Sequence, residues 1–190
     1  MIMRRFALIC SLLLCPISGF AAPATYALEP ENSSVGFETD FGTDKITGRM
    51  PVSRADLTLD FDKVSASTLE VTLNVAGADA SFPFAAQALK GPKVLDAADF
   101  PTMTFKSSSV RAKGAGAVVQ GMLTIRGIAK PVTMQAEIYR QKGYKEGDLS
   151  HLTIRMRGAV NRSEFGATGW SDMVGDQVRL DILARIARVE

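Results

Sequence analysis

The chain has 190 residues, of which 46% are apolar and 22% are charged, and its formal net charge is +2. Its basic residues are not clustered and interleaved with aromatic residues, so the composition argues against a nucleic-acid-binding protein. The length is that of one domain and allows a sizeable hydrophobic core.

The N-terminal segment has the order of a secretory signal peptide. Arg4 and Arg5 precede an apolar run over residues 6–14, and small residues follow as far as Ala21. We predict cleavage after Ala21, which leaves residues 22–190 as a single periplasmic domain with no net charge. The apolar run is shorter than the roughly 20 residues of a membrane-spanning helix, so we expect no stable membrane insertion.

Both cysteines, Cys10 and Cys15, lie within this predicted signal peptide. The exported chain therefore has no thiol for a disulfide, a metal site or a nucleophile. A lipoprotein signal would need a small residue before Cys15, where the chain has Leu14, so attachment of a lipid to this cysteine is disfavoured.

Apolar and polar residues alternate through most of the remaining chain, with the period of two that half-buried strands require. In one run Leu69, Val71 and Leu73 alternate with Glu70 and Thr72. Glycine-containing turns separate the runs, which predicts eight or nine antiparallel strands in an all-β domain. The apolar face of such a sheet must be shielded from water, so the sheet either closes into a barrel or folds into a sandwich. The runs lie at 35–41, 57–61, 69–75, 103–105, 119–125, 132–138, 152–160 and 178–186.

Residues 82–100 interrupt the alternation. Phe84, Ala85, Ala88 and Leu89 have a helical spacing and are followed by Gly91 and Pro92. We therefore predict a short helical excursion between the fourth and fifth strands, over one end of the sheet.

The residues that catalysis would need are scarce. The chain has a single histidine, His151, and after removal of the signal peptide it has no cysteine, so it offers too few ligands for a metal site. The paired acids Asp96 with Asp99, and Asp60 with Asp62, are better explained by turns or outward strand positions. We expect no enzyme activity, no metal and no cofactor.

Four methionines fall in or beside the predicted strands, at Met50, Met103, Met134 and Met156. Their unbranched side chains can adapt to a flexible apolar guest, although ordinary core filling explains them as well. Trp170 lies in a glycine-rich segment before the last strand, where it either closes the mouth of a pocket or packs at an edge.

Four segments of the chain form a set of motifs in a fixed order. They are an opening strand at 26–37, the segment Asp-Phe-Pro-Thr-Met-Thr-Phe at 99–105, the hairpin 121–132 and the turn Asn-Arg-Ser-Glu-Phe-Gly at 161–166. Taken together, these motifs resemble the YceI-like family over residues 26–190. The resemblance implies a lipocalin-like closed barrel with an elongated apolar cavity that binds polyisoprenoids, isoprenoid quinones or related lipids.

Two departures from the family pattern bear on the ligand. Asn32 stands where family members often have a histidine, and Ala85, Ala86 and Ala88 replace polar residues of the helical excursion. Both departures leave open a more uniformly apolar ligand.

We therefore expect a non-enzymatic periplasmic protein that carries a long apolar lipid of the polyprenyl, quinone or fatty-acid-like type. The alternative is an accessory protein that acts through its surface beside a membrane electron-transfer or envelope complex. A homodimer is also compatible with the sequence.

The sequence also predicts the residues of the lipid site. Arg126 and Arg162 are the candidate partners of a phosphate head group, and Trp170 is placed at the mouth. The predicted wall residues are Phe37, Phe61, Met103, Phe105, Leu123, Met134, Ile138, Met156 and Leu180.

Overall fold

The computed structural model describes residues 23–189, which form eleven β-strands, one α-helix and three short 3-10 helices. The predicted signal peptide lies outside the described residues. The strands are β1 (Ala24–Leu28), β2 (Ser34–Phe41), β3 (Asp44–Met50), β4 (Val52–Leu59), β5 (Thr68–Asn74), β6 (Asp79–Ala80), β7 (Thr102–Lys113), β8 (Gly116–Ile125), β9 (Ile128–Arg140), β10 (His151–Asn161) and β11 (Val174–Arg188). The helices are α1 (Pro83–Lys90) and the 3-10 helices η1 (Pro30–Asn32), η2 (Val64–Ala66) and η3 (Arg162–Phe165).

Eight of the strands form a closed antiparallel ring. Its order is β1, β4, β5, β7, β8, β9, β10 and β11, and the pairing of β1 with β11 closes it. The other three strands extend the ring on one side, because β2 pairs with β11 and β3, and β3 pairs with β6. The prediction of an all-β antiparallel barrel is confirmed.

The extra strands continue strands of the ring. Only η1 separates β1 from β2, and Pro51 alone separates β3 from β4. Proline has no N–H to donate to a strand ladder, which accounts for the break at this position. Residues 24–41 and 44–59 thus form the two arms of one long hairpin. Alternation did not predict β1, β3 or β6, because these strands are short or contain glycine at inward positions.

Helix α1 lies within the segment where a helical excursion was predicted. Pro83 occupies its first turn, where a missing N–H costs nothing, and Gly91 caps its end. The helix follows the sixth strand of the chain, whereas the prediction placed it after the fourth. None of the helices in residues 23–189 has the length and apolar character to cross a bilayer.

The two ends of the barrel differ in the segments that cover them. One end, which we call the mouth end, carries α1 and the connections 42–43, 91–101, 126–127 and 162–173. The opposite end, the far end, carries the connections 60–67, 114–115 and 141–150. The main hydrophobic core lies along the barrel axis and includes the fully buried residues Tyr26, Leu152 and Ile186 near the far end.

Candidate functional site

The barrel encloses an apolar cavity of about 270 Å³. Side chains from strands on every side of the ring line it, together with α1 and the segment 165–174. Residues such as Phe37 and Leu180 point inward yet are only half-buried, because they border this open space rather than a packed core. All four methionines singled out above, Met50, Met103, Met134 and Met156, are buried in its wall.

The cavity reaches the surface at the mouth end. Its lining there includes Phe82, Phe84 and Met173, whose exposed fractions are 37%, 70% and 48%. The rings of Phe82 and Phe41 lie 6.2 Å apart, centroid to centroid. Exposed apolar side chains that continue into an apolar cavity are typical of a binding site for an apolar ligand.

The polar groups of the wall are bonded within the protein. Thr39 is buried and its hydroxyl donates to the carbonyl oxygens of Gly175 and Gln177, each at 3.0 Å. The hydroxyl of Ser33 donates to the carbonyl of Glu29 at 2.7 Å. These two side chains therefore satisfy the backbone near β11 and do not offer free donors to a ligand.

Arg162 lines the cavity, but most of its donors are also engaged. Its guanidinium donates four hydrogen bonds of 2.6–3.0 Å, to the carbonyl oxygens of Ala167, Gly169, Val174 and Gly175. All four acceptors are neutral, and burial lowers the pKa of the Arg162 guanidinium below its usual value, although Asp176 opposes this shift. The side chain holds the segment 166–175 in place at the mouth.

Arg126 is not among the residues that line either cavity described here. Its guanidinium donates to the carbonyl oxygens of Pro92 and Val94, both at 2.8 Å, and lies 4.0 Å from the carboxylate of Asp96. Arg126 thus fixes the connection 91–97, the second segment that shapes the mouth. Both predicted head-group partners act on loop backbone in this structure, and the contact with a phosphate stays a prediction.

Trp170 belongs to the segment 166–175 and lies beside the connection 91–97. It is half-buried, has a left-handed backbone with φ +53°, and lines the cavity at the mouth end. The ammonium of Lys93 lies 5.8 Å from its ring centroid, within the range of a cation–π contact. The neighbouring Gly169 donates its N–H to the carbonyl of Lys93 at 2.8 Å, which joins the two segments directly.

The structure brings most of the predicted wall residues together around the cavity and separates two from it. Phe61 and Ile138 point inward but line a second, smaller cavity of about 50 Å³ near the far end. Phe61 also packs edge-on against Tyr26, with ring centroids 6.4 Å apart. The other predicted wall residues line the large cavity, and they are Phe37, Met103, Phe105, Leu123, Met134, Met156 and Leu180.

Several residues of the mouth were not predicted. Phe82, Phe84 and Met173 lie outside the alternating strands, so the period of two gave no information on them. A usable signal was present in α1, where Phe84, Ala85, Ala88 and Leu89 form the face that meets the cavity. An exposed phenylalanine on a short helix without another packing partner indicates such a mouth.

The residues considered for catalysis lie apart from the cavity. His151 begins β10 at the far end, where its ring stacks on Tyr144 at 4.2 Å and its Nδ1 lies 3.1 Å from the hydroxyl of Ser150. Asp60 uses its carboxylate to accept the backbone N–H groups of Asp62 and Lys63. Within residues 23–189 no group of three or more His, Cys, Asp or Glu could hold a metal ion.

Known proteins resemble this one in sequence and in fold. A UPF0312 protein of Shewanella oneidensis is 28% identical over 189 residues, which is 96% of each chain. The crystal structure of BcnA from Burkholderia cenocepacia superposes with a TM-score of 0.75 at 24% identity, and covers 84% of this chain and 99% of its own. A polyisoprenoid-binding domain from Saccharophagus degradans superposes with a TM-score of 0.64 at 10% identity, and covers 87% of this chain and 99% of its own.

The family assignment rests on the sequence match, since structural likeness at these identities shows the fold alone. The family model described as the YceI-like domain matches residues 26–186, which include ten of the eleven strands completely or nearly so. The protein therefore belongs to the YceI-like family.

Proposed function

We propose that this protein is a periplasmic carrier that holds one long apolar lipid of the prenyl type inside its barrel. The observation that carries the proposal is the cavity of about 270 Å³ with an apolar wall and an aromatic mouth. Its volume lies just below the range of small-molecule sites, about 300–1,000 Å³. Methionines in the wall suit a chain with many conformers. The signal-peptide pattern of residues 1–21 supports export to the periplasm.

The polar groups near the cavity favour a ligand with a neutral head group. Thr39 and Ser33 donate to backbone carbonyls, and Arg162 commits four hydrogen bonds to the loop that it supports. A pyrophosphate would need charged donors that are free to turn toward it. An isoprenoid quinone or a free polyprenol needs none, so these are the ligands that we propose.

The solved relative from Saccharophagus degradans, described as a polyisoprenoid-binding domain, supports this ligand class, since the same barrel shape is compatible with such a chain. The apolar residues Ala85 and Ala88 on the cavity side of α1 fit it as well. They add only methyl groups to the wall where a polar head group would need a hydrogen-bonding partner.

Native mass spectrometry of the protein purified from its own host tests the proposal directly. We expect a bound mass in the prenyl-lipid range that organic solvent removes. Adding a polyprenol or a quinone back should raise the melting temperature, because a ligand that binds only the folded state stabilises it. Absence of both effects would contradict the proposal and favour a protein that acts through its surface.

A pair of tryptophan substitutions tests the location of the ligand. Met134 on β9 is 3% exposed and lines the cavity, whereas Met122 on the neighbouring strand β8 is 41% exposed and points outward. Met134→Trp should abolish lipid retention and cost about 1–3 kcal/mol of stability, since it fills space in the barrel. Met122→Trp is the matched control and should retain the lipid. Equal retention by the two variants would contradict an interior site.

A further inference from the structure

The barrel interior is divided by side chains into two cavities, and the division lies across the barrel axis. The large cavity of about 270 Å³ opens at the mouth end, and the small one of about 50 Å³ lies near the far end. Three residues, Leu69, Ile154 and Met156, line both. These three side chains are therefore the boundary between the two spaces.

The boundary is built from opposite walls. Leu69 is on β5, and Ile154 and Met156 are on β10. In the ring of eight strands three others separate β5 from β10 on each side, β7, β8 and β9 on one and β11, β1 and β4 on the other. Leu69 thus faces Ile154 and Met156 across the full width of the barrel, and together they form a partition rather than a patch of one wall.

The side chains of the partition differ in flexibility. Ile154 is β-branched and has few rotamers, whereas the side chain of Met156 is unbranched and flexible. On one side of Met156 in the sheet its direct neighbour is the small Ala136 on β9, which leaves room for the side chain to move, whereas its neighbour on the other side is Ile182 on β11. Ala136 also lines the small cavity. Of the three side chains, that of Met156 can change its conformation most easily without a change in the backbone. It can also be replaced by a shorter side chain in an experiment.

We propose that Met156, on the wall opposite Leu69, is the floor of the lipid site and sets the greatest chain length that the barrel accepts. The inference rests on the proposed function, because a floor matters only if a chain enters from the mouth. A chain of fitting length ends at Met156. A longer chain either displaces this side chain into the small cavity or leaves its excess carbon atoms in water.

Binding of linear chains of graded length tests the partition. The probes are primary n-alkyl alcohols of increasing length, with a polyprenol as a separate probe of the proposed function. In the wild-type protein we expect affinity to rise about fourfold with each added methylene group and then to level off where the chain meets the floor. The chain length at which the affinity levels off is the measured quantity.

Met156→Ala should join the two cavities and move this limit to longer chains, with about fourfold tighter binding for each methylene group accommodated beyond the wild-type limit. Leu69→Ala opens the partition from the opposite wall and should do the same, so a folding defect in one variant leaves the other as the test. Met103→Ala is the matched control, because Met103 lines the large cavity alone. It should change affinity without moving the limit.

The possible outcomes distinguish the role of Met156 as the floor from the proposed prenyl ligand. The same limit in the wild type and in both partition variants would overturn the role of Met156. Binding of the alkyl series but of no polyprenol would overturn the proposed prenyl ligand, while the shift of the limit still decides on the partition. Binding of neither probe class would overturn both.

Discussion

The two ends of this barrel share most of their strands but are covered in different ways. At the far end, Tyr26 and Ile186 are 2% and 0% exposed. The Tyr26 hydroxyl donates to the carbonyl of Leu149 at 2.8 Å, and the buried Gln141 amide donates to that of Leu152 at 3.1 Å. The mouth end instead leaves Phe84 70% exposed.

This difference indicates that the two ends of the barrel have different roles. Side chains at the far end bond across the connections and fill most of the interior, which stabilises the closed ring. At the mouth end the interior is left open, a smaller apolar cluster that includes Met50, Val75 and Leu95 packs beside it, and arginines brace the loops around the opening. The stability of the mouth therefore depends on buried polar contacts together with this small cluster, whereas that of the far end depends mainly on apolar contacts.

The largest effect should follow from removal of Arg162. Arg162→Ala leaves the four carbonyl groups that it bonds without their donor, and it empties space in a buried site. We expect a loss of about 4 kcal/mol in the free energy of unfolding, measured by urea denaturation.

Arg157 on β10, the strand that leads to Arg162, provides the control for this prediction. It is half-exposed and its ion pair with Glu137, at 3.8 Å, is at the surface, so Arg157→Ala should cost less than about 1 kcal/mol. If Arg162→Ala is as stable as this control but loses its lipid, then Arg162 contacts the head group, as the sequence predicted, and the loop-bracing role is wrong.

Alternation in the sequence indicated which residues face the interior, but it did not indicate how far along the barrel axis each of them lies. Met134 and Phe61 both face the interior, as alternation requires, yet they line different cavities. The period of two fixes the side of a strand on which a residue lies. Its height along the barrel depends on the stagger of neighbouring strands, which no local pattern encodes.

The loops of the mouth were harder to predict for another reason. Arg162 was correctly singled out as a charged residue near a strand end, but its partners include Gly175, thirteen positions later, and a turn of 3-10 helix brings them together. Arg126 finds its acceptors on Pro92 and Val94, more than thirty residues earlier. Contacts of this kind follow from the folded topology and have no periodic signal.

An effect of intermediate size is expected at Gly48 on β3, also toward the mouth end. A Cβ atom at this position would overlap the ring of Phe37 and the carbonyl oxygen of Asp79. Gly48→Ala should therefore cost about 2 kcal/mol, because the ring has to leave its place over the glycine. It should also disturb lipid binding, since Phe37 lines the cavity.

Gly175→Ala is the matched control for this substitution. Its added Cβ would lie 3.4 Å or more from the nearest atoms of Asp40, an ordinary contact distance, and its φ is not left-handed. Thermal unfolding and lipid retention should both stay near the wild-type values. If the two alanine variants behave alike, the close packing of Phe37 on Gly48 is not a constraint on this half of the barrel.

The smallest effect should come from the far end, where Tyr26→Phe removes a single hydrogen bond and leaves the packing intact. We expect a loss of about 1 kcal/mol near neutral pH, with lipid retention unchanged because Tyr26 does not line the large cavity. Tyr139→Phe is the control, since this tyrosine is 51% exposed.

The difference between wild type and Tyr26→Phe should also depend on pH. Burial raises the pKa of the Tyr26 phenol above its usual value of 10.0, although nearby Arg188 opposes the shift. Above pH 10 the phenol of the unfolded chain ionises while the folded protein still keeps its proton, so the unfolded state gains free energy of ionisation that the folded state lacks. The stability contributed by Tyr26 is thus complete below pH 10 and declines as the pH rises through the folded-state pKa. Urea denaturation at successive pH values should show that the difference in the free energy of unfolding between the wild type and Tyr26→Phe becomes smaller above pH 10. A difference that stays constant would mean that the far end is open to water around this ring.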